Sequence, residues 1–178
     1  YVDLNEVDTY FAYVNSLGQF ADISVSEQDS LIYISAENQY MDGDCNKSIL
    51  QFNDYLTKYP EGSFVLNANF YLADCYYKRG NVEGALKSYN YVINKPRNTF
   101  TEQALIAAAS INYEMGVFNE AIEDYVKLEQ VAELNSNLIE SRVGQMRANY
   151  QLNNYTKVVE SADKVLNNKK ISEQIKRE

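Results

Sequence analysis

One marker residue recurs every 36 or 37 positions along this chain of 178 residues. Gly43, Gly80 and Gly116 each stand two residues before an apolar residue, and Asn153 takes the same place in a fourth copy. The apolar residues that follow each marker are three or four positions apart, which is the spacing of one face of an α-helix. A fixed period of this length predicts a stacked array of helix pairs.

Small residues mark the predicted contacts between helices. One stands seven positions before each glycine, in what we call the leading helix of a pair, and another stands five positions after it, in the trailing helix. A small side chain at such a place lets a neighbouring helix approach closely. These residues are Ala36, Ala73 and Ala109 in the leading helices and Ser48, Ala85 and Ala121 in the trailing helices.

The periodicity predicts helices throughout, because no segment shows the sustained alternation of a strand. The predicted helices cover residues 3–16, 27–42, 45–58, 63–79, 82–94, 101–115, 118–132, 137–152 and 154–167. The expected organisation is an N-terminal helix and connection at 1–26, four repeats at 27–61, 62–98, 99–136 and 137–170, and the start of a further, truncated helix at 171–178. We expect the native protein to continue upstream and downstream.

The charge of the chain is negative and unevenly placed. The 25 Asp and Glu residues outnumber the 16 Lys and Arg residues, the net charge is −9, and no base precedes Lys47. Nucleic acids and anionic membranes attract a basic surface, so this balance argues against nonspecific binding to either. We expect the acidic stretch 1–46 to contact a basic surface, in an upstream repeat or in another protein.

The chain contains no histidine, which removes the usual general base of catalytic triads and a common zinc ligand. The sequence therefore predicts a protein that is not an enzyme and that has no cofactor or metal site. No stretch approaches 18 apolar residues, so no transmembrane segment is predicted.

The turn at Asp42-Gly43-Asp44 is similar to the start of a calcium-binding loop. Such a loop needs a glycine at its sixth place and a bidentate glutamate at its twelfth, where this chain has Lys47 and Asn53. A turn capped by Asp44 is therefore the favoured interpretation.

Cys45 and Cys75 admit two interpretations. They could form one disulfide, but small apolar side chains packed between helices are the favoured interpretation. With no histidine to activate a thiolate, a nucleophilic role is not expected.

Two acidic motifs are expected on the surface. Glu123 and Asp124 lie beside the apolar stripe of their helix, so we expect both to be solvated. The tripeptide Asp29-Ser30-Leu31 resembles an O-glycosylation acceptor, and its alternative interpretation is the first turn of a helix.

The second copy of the repeat carries the clearest residue pattern. Its residues are Leu72, Ala73, Tyr76, Gly80, Ala85, Tyr89 and Pro96. In this order they resemble the tetratricopeptide repeat, and the resemblance extends from about Gln28 to Asn168. The leading tryptophan of the family is absent, and the repeats are slightly long.

This resemblance implies an all-α solenoid, a right-handed superhelix of antiparallel helix pairs with about four repeats and an N-terminal helix. The long period is similar to the bacterial envelope branch of the family, which includes the Tol–Pal-associated periplasmic coordinator and an outer-membrane assembly lipoprotein. The composition, rich in Asn and Tyr, is similar to that of Bacteroidetes members.

The resemblance also implies a binding groove, since the leading helices of such arrays line a concave face. Ligand contacts there come from the second, fifth, ninth, twelfth and thirteenth positions, and the twelfth is tyrosine in every copy. The candidate groove residues are Tyr33, Glu37, Tyr40, Phe70, Asp74, Tyr77, Ser110, Tyr113, Arg147 and Tyr150. The side chain of tyrosine suits peptide recognition. Packing between adjacent repeats is the alternative explanation for a tyrosine that recurs at the twelfth position of every copy, as Tyr40, Tyr77, Tyr113 and Tyr150 do.

We therefore expect a non-enzymatic scaffold that binds a protein or peptide partner on the concave face, and no nucleic acid. The groove lacks the Lys and Asn set of the carboxylate clamp that grips acidic chaperone tails. The expected location is the bacterial periplasm or outer membrane, with the cytoplasm as the alternative. The alternative functions are a structural spacer or self-assembly segment of a longer array, and an accessory module of an envelope enzyme complex.

Overall fold

The structure is a computed structural model that describes residues 7–18 and 23–167 of the chain. The regular elements in these ranges are all α-helices. In chain order they are α1 (Val7–Ser16), α2 (Val25–Met41), α3 (Cys45–Lys58), α4 (Val65–Lys78), α5 (Val82–Ile93), α6 (Thr101–Glu114), α7 (Phe118–Val131), α8 (Asn135–Gln151) and α9 (Tyr155–Leu166).

The predicted helices from residue 27 onward are confirmed, because each end lies within two residues of its predicted position. The predicted start of the first helix at residue 3 and the predicted helix at 171–178 lie outside the described residues.

The chain divides into two compact units, Tyr1–Val92 and Ile93–Glu178, which we call unit one and unit two. In unit one, α3 packs against both α2 and α4. In unit two, α7 packs against α6 and α8, and α8 also packs against α9. Within each unit, these consecutive helices are therefore neighbours in space, as a repeat of helix pairs requires.

The marker residues form the tight turns inside the helix pairs. Gly43, Gly80 and Gly116 have positive φ angles of 76° to 81°, and Asn153 has a φ of 58°. Side chains with a Cβ rarely adopt this conformation, and asparagine tolerates it better than most. This backbone requirement explains why the sequence keeps glycine or asparagine at a fixed interval.

The small residues lie where the helices approach most closely. All six of the predicted contact residues are fully buried, which confirms their role in packing. In unit one they sit beside large aromatic rings, since Ala36 packs in one cluster with Tyr33, Phe52 and Tyr55. The core of this unit is therefore built from alanine and aromatic side chains together.

Asp29 has a structural role that its tripeptide does not reveal. Its side chain is buried and accepts hydrogen bonds from the Tyr55 hydroxyl at 2.7 Å and the Ser63 backbone N–H at 2.9 Å. The Phe64 N–H in turn donates to the Tyr55 hydroxyl at 3.0 Å. The first turn of α2 is thus tied to α3 and to the loop before α4.

Asp44 caps the N-terminus of α3, which confirms the favoured interpretation of the turn at Asp42-Gly43-Asp44. Its carboxylate accepts a hydrogen bond from the Lys47 backbone N–H at 3.1 Å, and the Lys47 ammonium lies 3.3 Å away. These contacts lower the pKa of Asp44, with the backbone hydrogen bond as the main cause.

The favoured interpretation of the two cysteines is wrong, because Cys45 and Cys75 form a disulfide. Their Cα atoms are 5.1 Å apart, and both residues are buried where α3 and α4 meet. Each side chain does pack as a small apolar group, but residues 30 positions apart in sequence are brought into bonding distance by the helix pairing. No local spacing rule reveals such a pair.

We predict that reduction of this disulfide destabilises unit one. A bridge that closes a loop of this length stabilises a protein by about 3 to 4 kcal/mol, mainly by constraining the unfolded chain. Urea unfolding of the wild-type chain, with and without a dithiol reductant, measures the difference. The double substitution Cys45→Ala/Cys75→Ala is the control, because it should unfold at the same urea concentration in both conditions. Equal unfolding of the wild-type chain in both conditions would contradict the prediction.

A close contact in unit two depends on the absence of a side chain at Gly144. A Cβ built on Gly144 of α8 would overlap the ring of Tyr125, which is itself buried on α7. The Tyr125 ring therefore occupies the space that a side chain at position 144 would need.

We predict that Gly144→Ala lowers the free energy of unfolding by about 1 to 3 kcal/mol, because the Tyr125 ring must shift within a packed core. Gly84→Ala is the matched control, since a Cβ there meets the half-buried Tyr76 ring and the side chain of Asn81, which is exposed and accepts a hydrogen bond from the Gly84 N–H at 2.9 Å, so the neighbours can shift more easily than the buried Tyr125 ring. Gly84 lies in α5, where alanine is the better helix former by up to about 1 kcal/mol. Thermal unfolding of both variants checks the prediction, and equal effects would contradict it.

Candidate functional site

The candidate groove residues divide between the two units. In unit one they lie on α2 and α4, and in unit two on α6 and α8. The two sets have different surroundings, so each is described separately.

Tyr33 belongs to the core of unit one. Only 2% of its surface is exposed, and its ring stacks on Phe64 with centroids 4.4 Å apart. Its hydroxyl donates a hydrogen bond to the Glu37 carboxylate at 2.5 Å. The observed contacts of Tyr33 are therefore those of a core residue, and its contact with a partner stays a prediction.

Tyr40 links the two leading helices of unit one. Its ring stacks on Tyr71 of α4 with centroids 4.6 Å apart, and its hydroxyl donates to Asp74 at 2.8 Å. The ammonium of Lys78 lies 2.6 Å from the same carboxylate and 5.2 Å from the centre of the Tyr40 ring. Burial and the hydrogen bond to Asp74 raise the pKa of Tyr40.

These contacts agree with a packing role for Tyr40, the twelfth-position tyrosine of the first repeat. Packing was the alternative to ligand binding for the tyrosines at this position. The carboxylates of Glu37 and Asp74 are likewise engaged within unit one, by Tyr33 and by Tyr40 with Lys78. Phe70 is half-buried and contacts the edge of Tyr89 at 5.9 Å. Among the ring residues predicted on these two helices, Tyr77 is the most accessible, with 40% of its surface exposed.

The candidates of unit two are more open. Tyr113 is half-buried and contacts the edge of the Phe118 ring at 5.4 Å, while Arg147 is exposed. Tyr150 is 60% exposed, and its ring lies 6.1 Å from that of Tyr155. Ser110 is half-buried, and its hydrogen bond with Tyr125 favours ionisation of that tyrosine, although burial has the larger effect and raises its pKa.

A pocket of about 330 Å³ brings three of these candidates together. It lies among α6, α8 and α9, and its lining consists of Tyr113, Met146, Arg147, Tyr150, Gln151 and Val158. We call it the unit-two pocket. Ser110 is not part of the lining.

Sequence reasoning placed Tyr113, Arg147 and Tyr150 in a groove, but it did not select the other lining residues. Gln151 directly follows Tyr150 in the same repeat, so the thirteenth position of the family pattern is the signal that could have found it. Val158 belongs to the trailing helix α9, which the groove prediction did not include.

The same structure corrects the expectation for Asp124. Glu123 is exposed as expected, but Asp124 is only 6% exposed and faces α6. Its carboxylate accepts a hydrogen bond from the Asn112 amide at 3.2 Å and lies 3.4 Å from the Lys127 ammonium. Burial outweighs both contacts and raises the pKa of Asp124.

We predict that Asp124→Asn increases the free energy of unfolding at neutral pH. A raised pKa in the folded state means that the folded chain binds this proton more tightly than the unfolded chain. Stability is therefore lost as the pH rises from the ordinary value of 3.8 through the raised value. The asparagine keeps an acceptor for Asn112 and should abolish this loss.

Urea unfolding at a series of pH values between about 3.5 and 7.5, a range that spans ordinary carboxyl pKa values, measures the effect. Glu123→Gln is the matched control, because it removes an exposed carboxylate from the adjacent position and should leave the pH dependence unchanged. The same pH dependence in Asp124→Asn and the wild-type chain would contradict the assignment.

Within residues 7–18 and 23–167, no group of three or more Cys, Asp and Glu side chains is placed to hold a metal ion. None of the helices in those ranges has the length and apolar character needed to cross a bilayer.

Comparison with known proteins agrees with this architecture. A family model of the tetratricopeptide repeat matches residues 67–97, which include most of α4 and all of α5. Among solved structures, a tetratricopeptide repeat protein from Parabacteroides merdae is similar, with a TM-score of 0.70 and 19% sequence identity. The match covers 84% of this chain and 56% of that chain. No curated protein matches the chain.

At this level of identity the likeness shows the fold. The prediction of an all-α solenoid of helix repeats is confirmed by the helices of the described residues together with this structural match. The chain spans little more than half the length of the similar protein.

Proposed function

We propose that this tetratricopeptide-like solenoid is a non-enzymatic scaffold that binds a protein or peptide partner through the unit-two pocket. The observation that carries the proposal is the grouping of Tyr113, Met146, Arg147 and Tyr150 around one pocket, in which Arg147 and Tyr150 are exposed. Tyrosine, methionine and arginine are enriched at the centres of protein interfaces, where large side chains contribute most of the binding energy.

The packing of this surface supports a preformed site. Tyr113 is held against Phe118, and Tyr150 against Tyr155, so the rings that would meet a partner are already oriented. A partner then loses mainly its own conformational freedom on binding, because the helices do not have to rearrange.

A spacer role is the second candidate, and unit one favours it. The groove residues Tyr33, Glu37, Tyr40 and Asp74 bond to one another or to neighbouring side chains within this unit. Polar groups that are already bonded within the unit stabilise the helix packing and are less available to bind a ligand. We assign this architectural role to unit one and the binding role to unit two.

We further propose that the protein works in the bacterial envelope, outside the cytoplasm. A disulfide between two buried cysteines persists in an oxidising compartment, whereas cytosolic thiols are normally kept reduced. The origin of the similar solved protein, a bacterium, is consistent with this placement.

We predict that Tyr113→Ala/Tyr150→Ala removes the partner that the wild-type chain captures from extracts of the producing cell. Tyr150 is largely exposed, so its substitution should change stability by no more than about 0.5 kcal/mol, and thermal unfolding of the double variant checks that the fold remains. Quantitative mass spectrometry of the captured proteins measures the loss. Tyr13→Ala is the control, because Tyr13 is 52% exposed on α1 of unit one.

Retention of every partner by a folded double variant would reject the unit-two pocket as the binding site. Concentration-dependent self-association of the wild-type chain in sedimentation, with no captured partner, would favour the spacer or self-assembly role instead.

We predict that both cysteines are oxidised in the cells that make the protein. Acid quenching followed by alkylation of free thiols should leave Cys45 and Cys75 unmodified, with the protein in the envelope fraction. Reduced, alkylated cysteines in a cytosolic fraction would contradict the proposed compartment.

A further inference from the structure

Among the described residues that line the unit-two pocket, Arg147 is the one charged side chain, and it is a cation. Arg147 is exposed on α8, whereas the other lining side chains are aromatic, apolar or an uncharged amide. The net charge of −9 arises within residues 1–46, which contain no base, and from residue 47 onward 16 bases balance 16 acids. Arg147 therefore gives the pocket a positive charge within a neutral part of the chain.

The size of the pocket limits what enters it. A volume of about 330 Å³ lies at the lower end of the ~300–1,000 Å³ range of ligand pockets, so it suits one large side chain and its neighbours in a peptide. Tyr113, Met146 and Val158 offer apolar surface to such a side chain. The thioether of Met146 adapts to different shapes, including aromatic rings.

We propose that the unit-two pocket binds a peptide segment in which an acidic residue lies next to a large apolar or aromatic residue. The apolar residue fills the space beside Met146, and its acidic neighbour pairs with the Arg147 guanidinium. This inference rests on the proposed function and names the class of partner. Arginine suits the acidic residue because its planar guanidinium forms two parallel hydrogen bonds with one carboxylate.

The contrast with unit one supports an acidic rather than a basic ligand. The equivalent positions there are Glu37 and Asp74, and both carboxylates already accept hydrogen bonds from tyrosine hydroxyls. Among the described residues, no acidic side chain lines the unit-two pocket. A basic residue in the pocket would face Arg147 and be repelled.

The pocket also differs from a site for acidic tails. A site of that kind surrounds its ligand with several cations and amides, whereas the lining here provides one guanidinium and the amide of Gln151. One acidic residue with an apolar neighbour therefore fits, and a run of acidic residues without an apolar residue does not.

The three methionines of the chain make the test direct, because each methyl group gives a separate NMR signal. We would add short peptides that contain Glu-Phe, Gln-Phe, Lys-Phe or Glu-Ser, with all other residues identical, to the full chain labelled at the methionine methyl groups. The Glu-Phe peptide should shift the Met146 signal and leave Met41, which lies on α2 of unit one, unchanged. Gln-Phe and Glu-Ser should each bind at least about fivefold more weakly, and Lys-Phe weakest of all.

Two variants assign the preference to Arg147. Arg147→Gln should bind Glu-Phe and Gln-Phe equally, while Lys157→Gln, which removes an exposed cation of α9 outside the pocket lining, should keep the wild-type preference. Equal or tighter binding of Lys-Phe by the wild-type chain, or peptide binding without a Met146 shift, would overturn the inference.

The peptide test addresses the ligand class and the capture test addresses the scaffold function, so one proposal can be rejected while the other stands. A protein partner that is lost in Tyr113→Ala/Tyr150→Ala, together with no preference for the acidic peptide, would reject the ligand class and leave the scaffold function standing. Preference for the acidic peptide without any captured protein would support the ligand class and reject the scaffold function.

Discussion

The close approach of helices at small, fully buried side chains is the constraint on which the rest of the structure depends. Ala36 and Ala109 in the leading helices leave room that the aromatic rings of neighbouring helices occupy. The same principle reaches its limit at Gly144, where the ring of Tyr125 leaves no space for even one methyl group. Close packing of this kind holds the surface residues of each helix in fixed relative positions.

In unit one, several of the candidate groove residues form hydrogen bonds or ion pairs within the unit. Tyr33, Tyr40 and Asp74 each bond to a group on a neighbouring turn or helix. Outside the groove positions, Asp29 bonds to Tyr55, and the disulfide joins Cys45 to Cys75. Unit two leaves comparable positions accessible, as Tyr150 and Arg147 show. The same repeat pattern thus supports an architectural surface in one unit and a candidate binding surface in the other.

The sequence predicted the helices well because two local requirements recur in it. The turn conformation demands glycine or asparagine, and the packed face demands apolar residues at helical spacing, so both leave a periodic trace. The contacts that the sequence did not reveal join residues distant in sequence. The bond between Cys45 and Cys75, the stacking of Tyr33 on Phe64, and the burial of Asp124 against Asn112 each depend on how one helix lies on another. The unit-two pocket was found in part, since its tyrosines recur, whereas Val158 enters it from a trailing helix.

Photo-crosslinking at position 150 tests the central claim, that the unit-two pocket contacts the partner. A benzoylphenylalanine in place of Tyr150 would be irradiated in the producing cell, with the same residue in place of Tyr13 on α1 as the control. The account predicts a covalent adduct with a partner at position 150 and none at position 13, with the adduct mapping to a segment that has an acidic residue beside a large apolar one. Adducts at position 13 alone, or none at position 150, would contradict it.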